Sequence, residues 1–209
     1  KAGTVLDYET KTSFAITIEA DDTTVGTTPD ATVSFALTVN DVEPEFPPAP
    51  DIFISEVAPW SSGNSPVADD WFEVTNNTDN PIDITGWKVD DGSATFGSAA
   101  TLNGVTSIPP GESVIFIETN DLPAKSTLFL STWFGANPPS GLQIGSYTGS
   151  GLGLSSGGDG LNLFNAAGVL QASITFGASP ASAPFTTFDN TVAANNETLA
   201  TFSAVGVNG

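Results

Sequence analysis

Carboxylates are the side chains of this sequence with chemistry to offer. Twenty-four Asp and Glu stand against four Lys, with no His and no Cys. Glu56 and Glu73 each sit inside an alternating apolar run, Phe53-Ile54-Ser55-Glu56-Val57 and Trp71-Phe72-Glu73-Val74-Thr75. They read as outward-facing or hydrogen-bonded strand carboxylates, or as a shared cation site, because two facing carboxylates otherwise repel. Asp69-Asp70 and Asp90-Asp91 are neighbours in sequence. Successive strand residues point to opposite faces, so these pairs read as turns rather than acid–base couples.

Other chemistry is thin. Without His and Cys, the common nucleophile–base pairs and zinc sites cannot be assembled. Gly149, Gly151, Gly153 and Gly157-Gly158 lack the Lys-Ser/Thr and the following helix that a phosphate loop needs. Trp60, Trp133 and Tyr147 would offer flat faces to a glycan if exposed, although core packing is the better reading of Trp133. Asn76-Asn77-Thr78 and Asn196-Glu197-Thr198 match the short glycan-acceptor pattern.

The elements that must position these residues are strands. Phe14-Ile16-Ile18 and Val33-Phe35-Leu37-Val39 alternate at the period of a half-buried strand, joined by a polar loop with Gly26 and Pro29. Residues 44–50, Pro-Glu-Phe-Pro-Pro-Ala-Pro, form a semi-rigid joint. Further strands are predicted at 52–58, 70–76, 82–89, 112–118, 160–165 and 169–176. Pro123 and the spacing of Leu128, Phe129 and Trp133 predict a short helix or ordered loop within 121–134. Glycine-rich 145–160 reads as a flexible connection or a tightly turned edge. Residues 179–209 read as coil and a last strand that returns to the sheet, packing Phe185, Phe188 and Phe202. Trp71 and Trp87 read as core or rim packing, and Gly86 and Gly111 as turn or bulge positions.

The 209 residues suffice for one large or two small domains. The absence of Met, and a start at Lys1 in mid-pattern, point to a piece of something longer. The net charge of −20, with Lys1, Lys11, Lys88 and Lys125 as the cations, repels phosphate backbones and excludes direct nucleic-acid binding. Such acidity needs salt or bound cations to relieve self-repulsion. No apolar run is long enough to span a membrane. Charged residues are only 13% of the chain, amid abundant Gly, Ser, Thr and Asn, which suits a secreted bacterial surface protein.

Residues 51–209 resemble a lamin-tail domain of the bacterial secreted type. The resemblance rests on Ile54-Ser55-Glu56-Val57, Asp70-Trp71-Phe72-Glu73-Val74, Pro81-Ile82-Asp83-Ile84-Thr85-Gly86-Trp87, Ile108-Pro109-Pro110-Gly111-Glu112 and Asp159-Gly160-Leu161-Asn162-Leu163-Phe164. Residues 1–43 resemble the second half of a cadherin repeat, in Leu6-Asp7-Tyr8-Glu9, Ala20-Asp21-Asp22 and Val39-Asn40-Asp41-Val42-Glu43. The expected fold is therefore all-β: an immunoglobulin-like β-sandwich preceded by a partial cadherin-like β-sandwich and the 44–50 joint. The cadherin resemblance implies calcium held by Asp7, Glu9, Asp22 and Asp41. Glu43-Pro44 departs from that family's usual Asn-Asp.

A sandwich half leaves an apolar face and open edges. It requires completion by further strands of the same chain or by another subunit. The function expected is a non-catalytic, calcium-stabilised, extracellular structural or adhesive protein that self-associates by strand complementation into a filament or surface layer. The alternatives are an accessory module of a larger secreted nuclease or phosphatase, and a glycan-binding module.

Overall fold

The structure is a computed structural model that describes residues 11–26, 29–40, 49–60, 67–149, 152–179 and 186–203. The chain divides into two units, Lys1–Pro48 and Ala49–Gly209.

The first unit contains an antiparallel hairpin, β1 (Ser13–Ala20) and β2 (Ala31–Thr38). Its register sets Phe14 opposite Leu37, Ile16 opposite Phe35 and Ile18 opposite Val33, so six apolar side chains share one face. On the other face Thr17 and Ser34 join hydroxyls at 3.2 Å. The two alternating runs read from the sequence are these two strands.

The second unit is a β-sandwich. Its strands are β3 (Ile52–Ala58), β4 (Trp71–Asn76), β5 (Ile82–Asp83), β6 (Lys88–Asp90), β7 (Ala100–Thr101), β8 (Ser107–Ile108) and β9 (Ser113–Glu118). After helix α1 (Leu122–Phe134) come β10 (Gln143–Tyr147), β11 (Asp159–Phe164), β12 (Leu170–Phe176), β13 (Phe188–Asp189), β14 (Glu197–Leu199) and β15 (Thr201–Phe202). One sheet runs β10-β9-β4-β3-β13-β15 and the other β14-β12-β11-β6-β7, with β5-β8 as a small separate ladder. Alternation places Ile54, Val57, Phe72, Val74, Val114 and Phe116 of the first sheet against Val89, Leu161, Leu163, Ala172 and Ile174 of the second. These side chains are the inter-sheet core.

The run predicted as one strand over 82–89 is two short ones. Asp83 Oδ1 accepts from Thr85 N at 2.8 Å, and Trp87 N donates to Ile84 O at 3.1 Å, closing a turn that Gly86 completes at φ 73°. The turn redirects Trp87 into the core, where it is buried.

The glycine-rich stretch is not a loose connection where it is described. Gly145 lies in β10, where a Cβ would meet Asn103 O at 2.5 Å and the Phe116 ring at 2.6 Å. Only a residue without a side chain fits there. Leu152 and Leu154, among the following glycines, are buried in the inter-sheet core.

Helix α1 forms where Pro123 and the aromatic spacing predicted it. Asp121 caps it, accepting from Ala124 N at 3.2 Å, and Gly135 ends it at φ 57°. Its Phe129 and Trp133 cover the outer face of the first sheet, together with Ala58, Trp60, Val67, Trp71, Ile115 and Ile117. Leu128 stays exposed, so the apolar stripe is narrower than its spacing implied.

The last segment closes the sandwich. β14 pairs in parallel with β12 of the second sheet, and two residues later β15 pairs with β13 of the first. The chain thus crosses from layer to layer around Ala200. Phe188 stacks between Phe176 and Phe202, with ring centroids 5.1 and 4.8 Å away. The expectation of a returning final strand describes this segment, while Phe185 lies outside the described residues.

Candidate functional site

Two groups of carboxylates lie in the first sheet, one around Glu73 within β4 and one around Asp70 just before it. The first forms a row across three adjacent strands. A β-bulge inserts Ser55 into β3, between Ile54 and Glu56, so that Glu56 comes opposite Glu73 of β4. On the other side Glu56 is opposite Asp189 of β13. All three belong to the face turned away from the inter-sheet core.

Hydroxyls fence this row. Ser55 Oγ donates to Glu73 Oε1 at 2.6 Å, and Thr75 Oγ1 donates to Ser55 Oγ at 2.8 Å. Thr187 Oγ1 donates to Glu56 Oε1, and Ser203 Oγ donates to the same oxygen at 2.9 Å. Glu56 is only 8% exposed. Burial lifts it from an ordinary 4.5 to about 7, against the lowering effect of the Thr187 hydroxyl, and the Glu73 charge pushes the same way. Glu73 is raised too, by burial first, against the Ser55 and Ser113 hydroxyls. Burial also raises Asp189. Of the two readings of Glu56 and Glu73, the hydrogen-bonded strand pair describes this geometry.

The second group closes one end of the core. Asp70 is fully buried and accepts from Leu154 N at 2.7 Å, while its carbonyl accepts from Glu118 N at 2.8 Å. Glu118 is raised to about 7, by burial, then by the Asp70 charge and a hydrogen bond between the two carboxyl groups. Asp69 pairs with Lys125 of α1 at 2.5 Å, and Lys125 also donates to Val67 O at 3.0 Å. Tyr147, fully buried and with no partner for its hydroxyl among the described residues, is raised by burial and then by the Asp70 and Glu118 charges. Asp69-Asp70 is therefore an anchor between α1, β4 and β9 rather than a turn. Asp90-Asp91 is a turn: Asp90 accepts from Ser93 Oγ and Thr95 N, each at 2.6 Å, and Asp91 from Ser93 N at 2.9 Å.

Between the two groups lies an aromatic cluster. Trp71 meets Trp60, Phe129 and Trp133 edge to face, with centroids 5.9, 5.0 and 5.4 Å away. Trp60 and Trp133 stack at 6.1 Å. Trp60, Trp133 and Tyr147 are all buried, so none presents the flat face to solvent that glycan stacking would need. Asn76 is buried as well. Its amide donates to the carbonyls of Asn80, Ile108 and Pro109 at 2.8, 2.9 and 3.0 Å, which removes it as a glycan acceptor. Asn196, exposed at φ 62°, keeps the acceptor pattern accessible.

Of the residues the cadherin resemblance assigned to calcium, Asp7, Glu9 and Asp41 lie outside the described residues. Asp22 lies in the hairpin loop, where its Oδ1 accepts from Thr24 N at 2.9 Å and Thr24 Oγ1 at 2.7 Å. Its own N–H donates to Asp30 Oδ2 at 2.6 Å. Among the described residues no three carboxylates converge in metal-holding geometry. The sequence singled out Glu56 and Glu73 but missed Asp189 as their companion, and it named Asp70 and Tyr147 without Glu118 or the contact between them. Strand order was the missing signal, since β13 joins β3 across more than a hundred residues.

No curated protein matches the chain. A family model described as Lamin Tail Domain matches residues 46–178, well over half of the sequence. The matched stretch holds β3 to β12, hence most of both layers and the bulge that pairs Glu56 with Glu73. An immunoglobulin-like β-sandwich over this stretch, carrying the blocks the sequence displayed, places the chain in the lamin tail domain family.

Proposed function

We propose that the chain is a non-catalytic structural or adhesive module of a bacterial cell surface, which associates with copies of itself through its N-terminal unit. The lamin tail domain is a non-catalytic immunoglobulin-like domain type, consistent with a structural or binding role. One observation carries the self-association. Ile18, Val33 and Phe35 lie on one face of the β1–β2 hairpin and are each more than 40% exposed, an apolar face that a lone two-stranded ladder does not bury. Strands supplied by a neighbouring molecule would cover it and extend its edges. Calcium at Asp7, Glu9, Asp22 and Asp41 would offset the self-repulsion of a chain with a net charge of −20.

Light scattering and electron microscopy of the chain, with calcium and with a chelator, test the proposal. The expected result is a multimer that Val33→Glu combined with Phe35→Glu reduces to monomer, and a melting temperature that drops on chelation. A monomer at every calcium concentration, with unchanged melting, removes both assembly and metal.

A further inference from the structure

We propose that residues 187–203 act as a proton-operated clasp on the sandwich, seated while the carboxylate row Glu73–Glu56–Asp189 holds a proton and loosened when the whole row is charged. The geometry of attachment carries this. The segment reaches β3 through two register pairs, Phe188 with Val57 and Asp189 with Glu56, and through Asn190 N on Ser55 O at 2.9 Å. Beyond that point side-chain amides cover the strand edge: Asn190 Nδ2 donates to Ile54 O at 2.8 Å and Asn195 Nδ2 to Ile52 O at 3.0 Å. Both ends of the segment then converge on a single atom, Glu56 Oε1, through the hydroxyls of Thr187 and Ser203. Ser203 N also donates to Thr187 O at 3.0 Å, so the two ends hold each other beside that carboxyl.

Charge decides what this junction tolerates. Glu56 faces Glu73 from β4 and Asp189 from β13, whereas Ser203, just after β15, offers it a hydroxyl. Neither described lysine of this unit answers the row: Lys88 lies 4.6 Å from the Phe96 ring centre and Lys125 pairs with Asp69. A proton is therefore the neutralising partner within the sheet. The proton equilibrium runs in the same direction, because burial favours the uncharged Glu56 more than its hydroxyl donors favour the charged one. Opening exposes Glu56 to water, so whatever ionises it favours the open form. The clasp is also the part most able to open alone. β13 and β15 are two residues each, and Val192 and Phe202 are exposed, while β4 and β9 are six residues long and buried.

Hydrogen exchange read by mass spectrometry on the full chain, at about pH 5 and about pH 8 and corrected for intrinsic exchange, tests the clasp. Protection of 187–203 and of β3, relative to β9 and β11, which pair with no strand of the segment, is expected to fall at least tenfold at the higher pH. The Glu56→Gln variant is expected to abolish that fall, and Glu118→Gln to retain it. A constant ratio in the unaltered chain, or a fall that survives in Glu56→Gln, overturns the proposal. If Glu56→Gln does not fold, Glu73→Gln and Asp189→Asn replace it. Each removes a neighbouring charge and is expected to shrink the fall, and an unchanged fall in both overturns the proposal equally.

Discussion

Glu56 and Glu73 stand opposite each other on adjacent antiparallel strands, brought into line by the single extra residue Ser55. Without that bulge the period of two would send one of them to the core face. Hydroxyls of Ser55, Thr187 and Ser203 hydrogen-bond the two carboxyl groups, and burial raises both above the ordinary value.

Stability is expected to fall as pH rises from about 4.5 to about 7. A carboxyl group raised in the folded state keeps its proton longer there than in the unfolded chain. Its contribution is complete below its ordinary 4.5 and is lost as pH climbs through the folded value near 7. At about 1.4 kcal/mol per pH unit, Glu56 accounts for roughly 3 kcal/mol. Glu118, Glu73 and Asp189 act in the same direction. Asp22 and Asp83, lowered by the Thr24 and Thr85 donors, have the opposite sign and lose their contribution on acidification below 3.8. Melting curves at about pH 5 and about pH 8 should give the higher midpoint at pH 5, with the gap narrowed in Glu56→Gln. A midpoint that rises with pH contradicts this.

Trp71→Ala is expected to cost about 3–5 kcal/mol, because it empties the centre of the aromatic cluster that α1 closes. Trp71 is 1% exposed and touches three other rings. Chemical denaturation measures the loss, and increased exchange in 122–134 would locate it. A loss below about 1 kcal/mol would mean that α1 is held by something other than this cluster.

Asn76→Ala is expected to destabilise the sandwich by about 1–3 kcal/mol through the carbonyls it leaves unpaired at Asn80, Ile108 and Pro109. Asn76→Asp keeps the volume but replaces the donating amide with a carboxylate aimed at three carbonyls, and should cost at least as much. Denaturation midpoints check both. In a glycosylating host, peptide mapping should find Asn76 unmodified.

Much of the fold was legible in residue order. Alternation marked β3, β4, β9, β11 and β12 to within a residue or two, because a half-buried strand writes its period into the chain. The 82–89 run misled because Thr85-Gly86 is a turn whose flanks still alternate. Leu152 and Leu154 were hidden among glycines, where no alternation marks a buried position. The carboxylate row was half visible: Glu56 and Glu73 stood out, but Asp189 becomes their neighbour only through the return of the chain. Asp70 and Glu118 were obscured for a related reason, since strand ends carry no period that says which faces the core.

β3 is among the first strands of the sandwich to leave the ribosome, yet its second neighbour is built from residues that follow it by about 136 positions, the separation at which Asn190 reaches Ile54. During synthesis the nascent sandwich must therefore wait with one edge of β3 unpaired until residues 187–203 emerge. Distant pairings of this kind slow folding. The final seam is thus the step at which a growing chain either completes its own fold or is caught by another polypeptide.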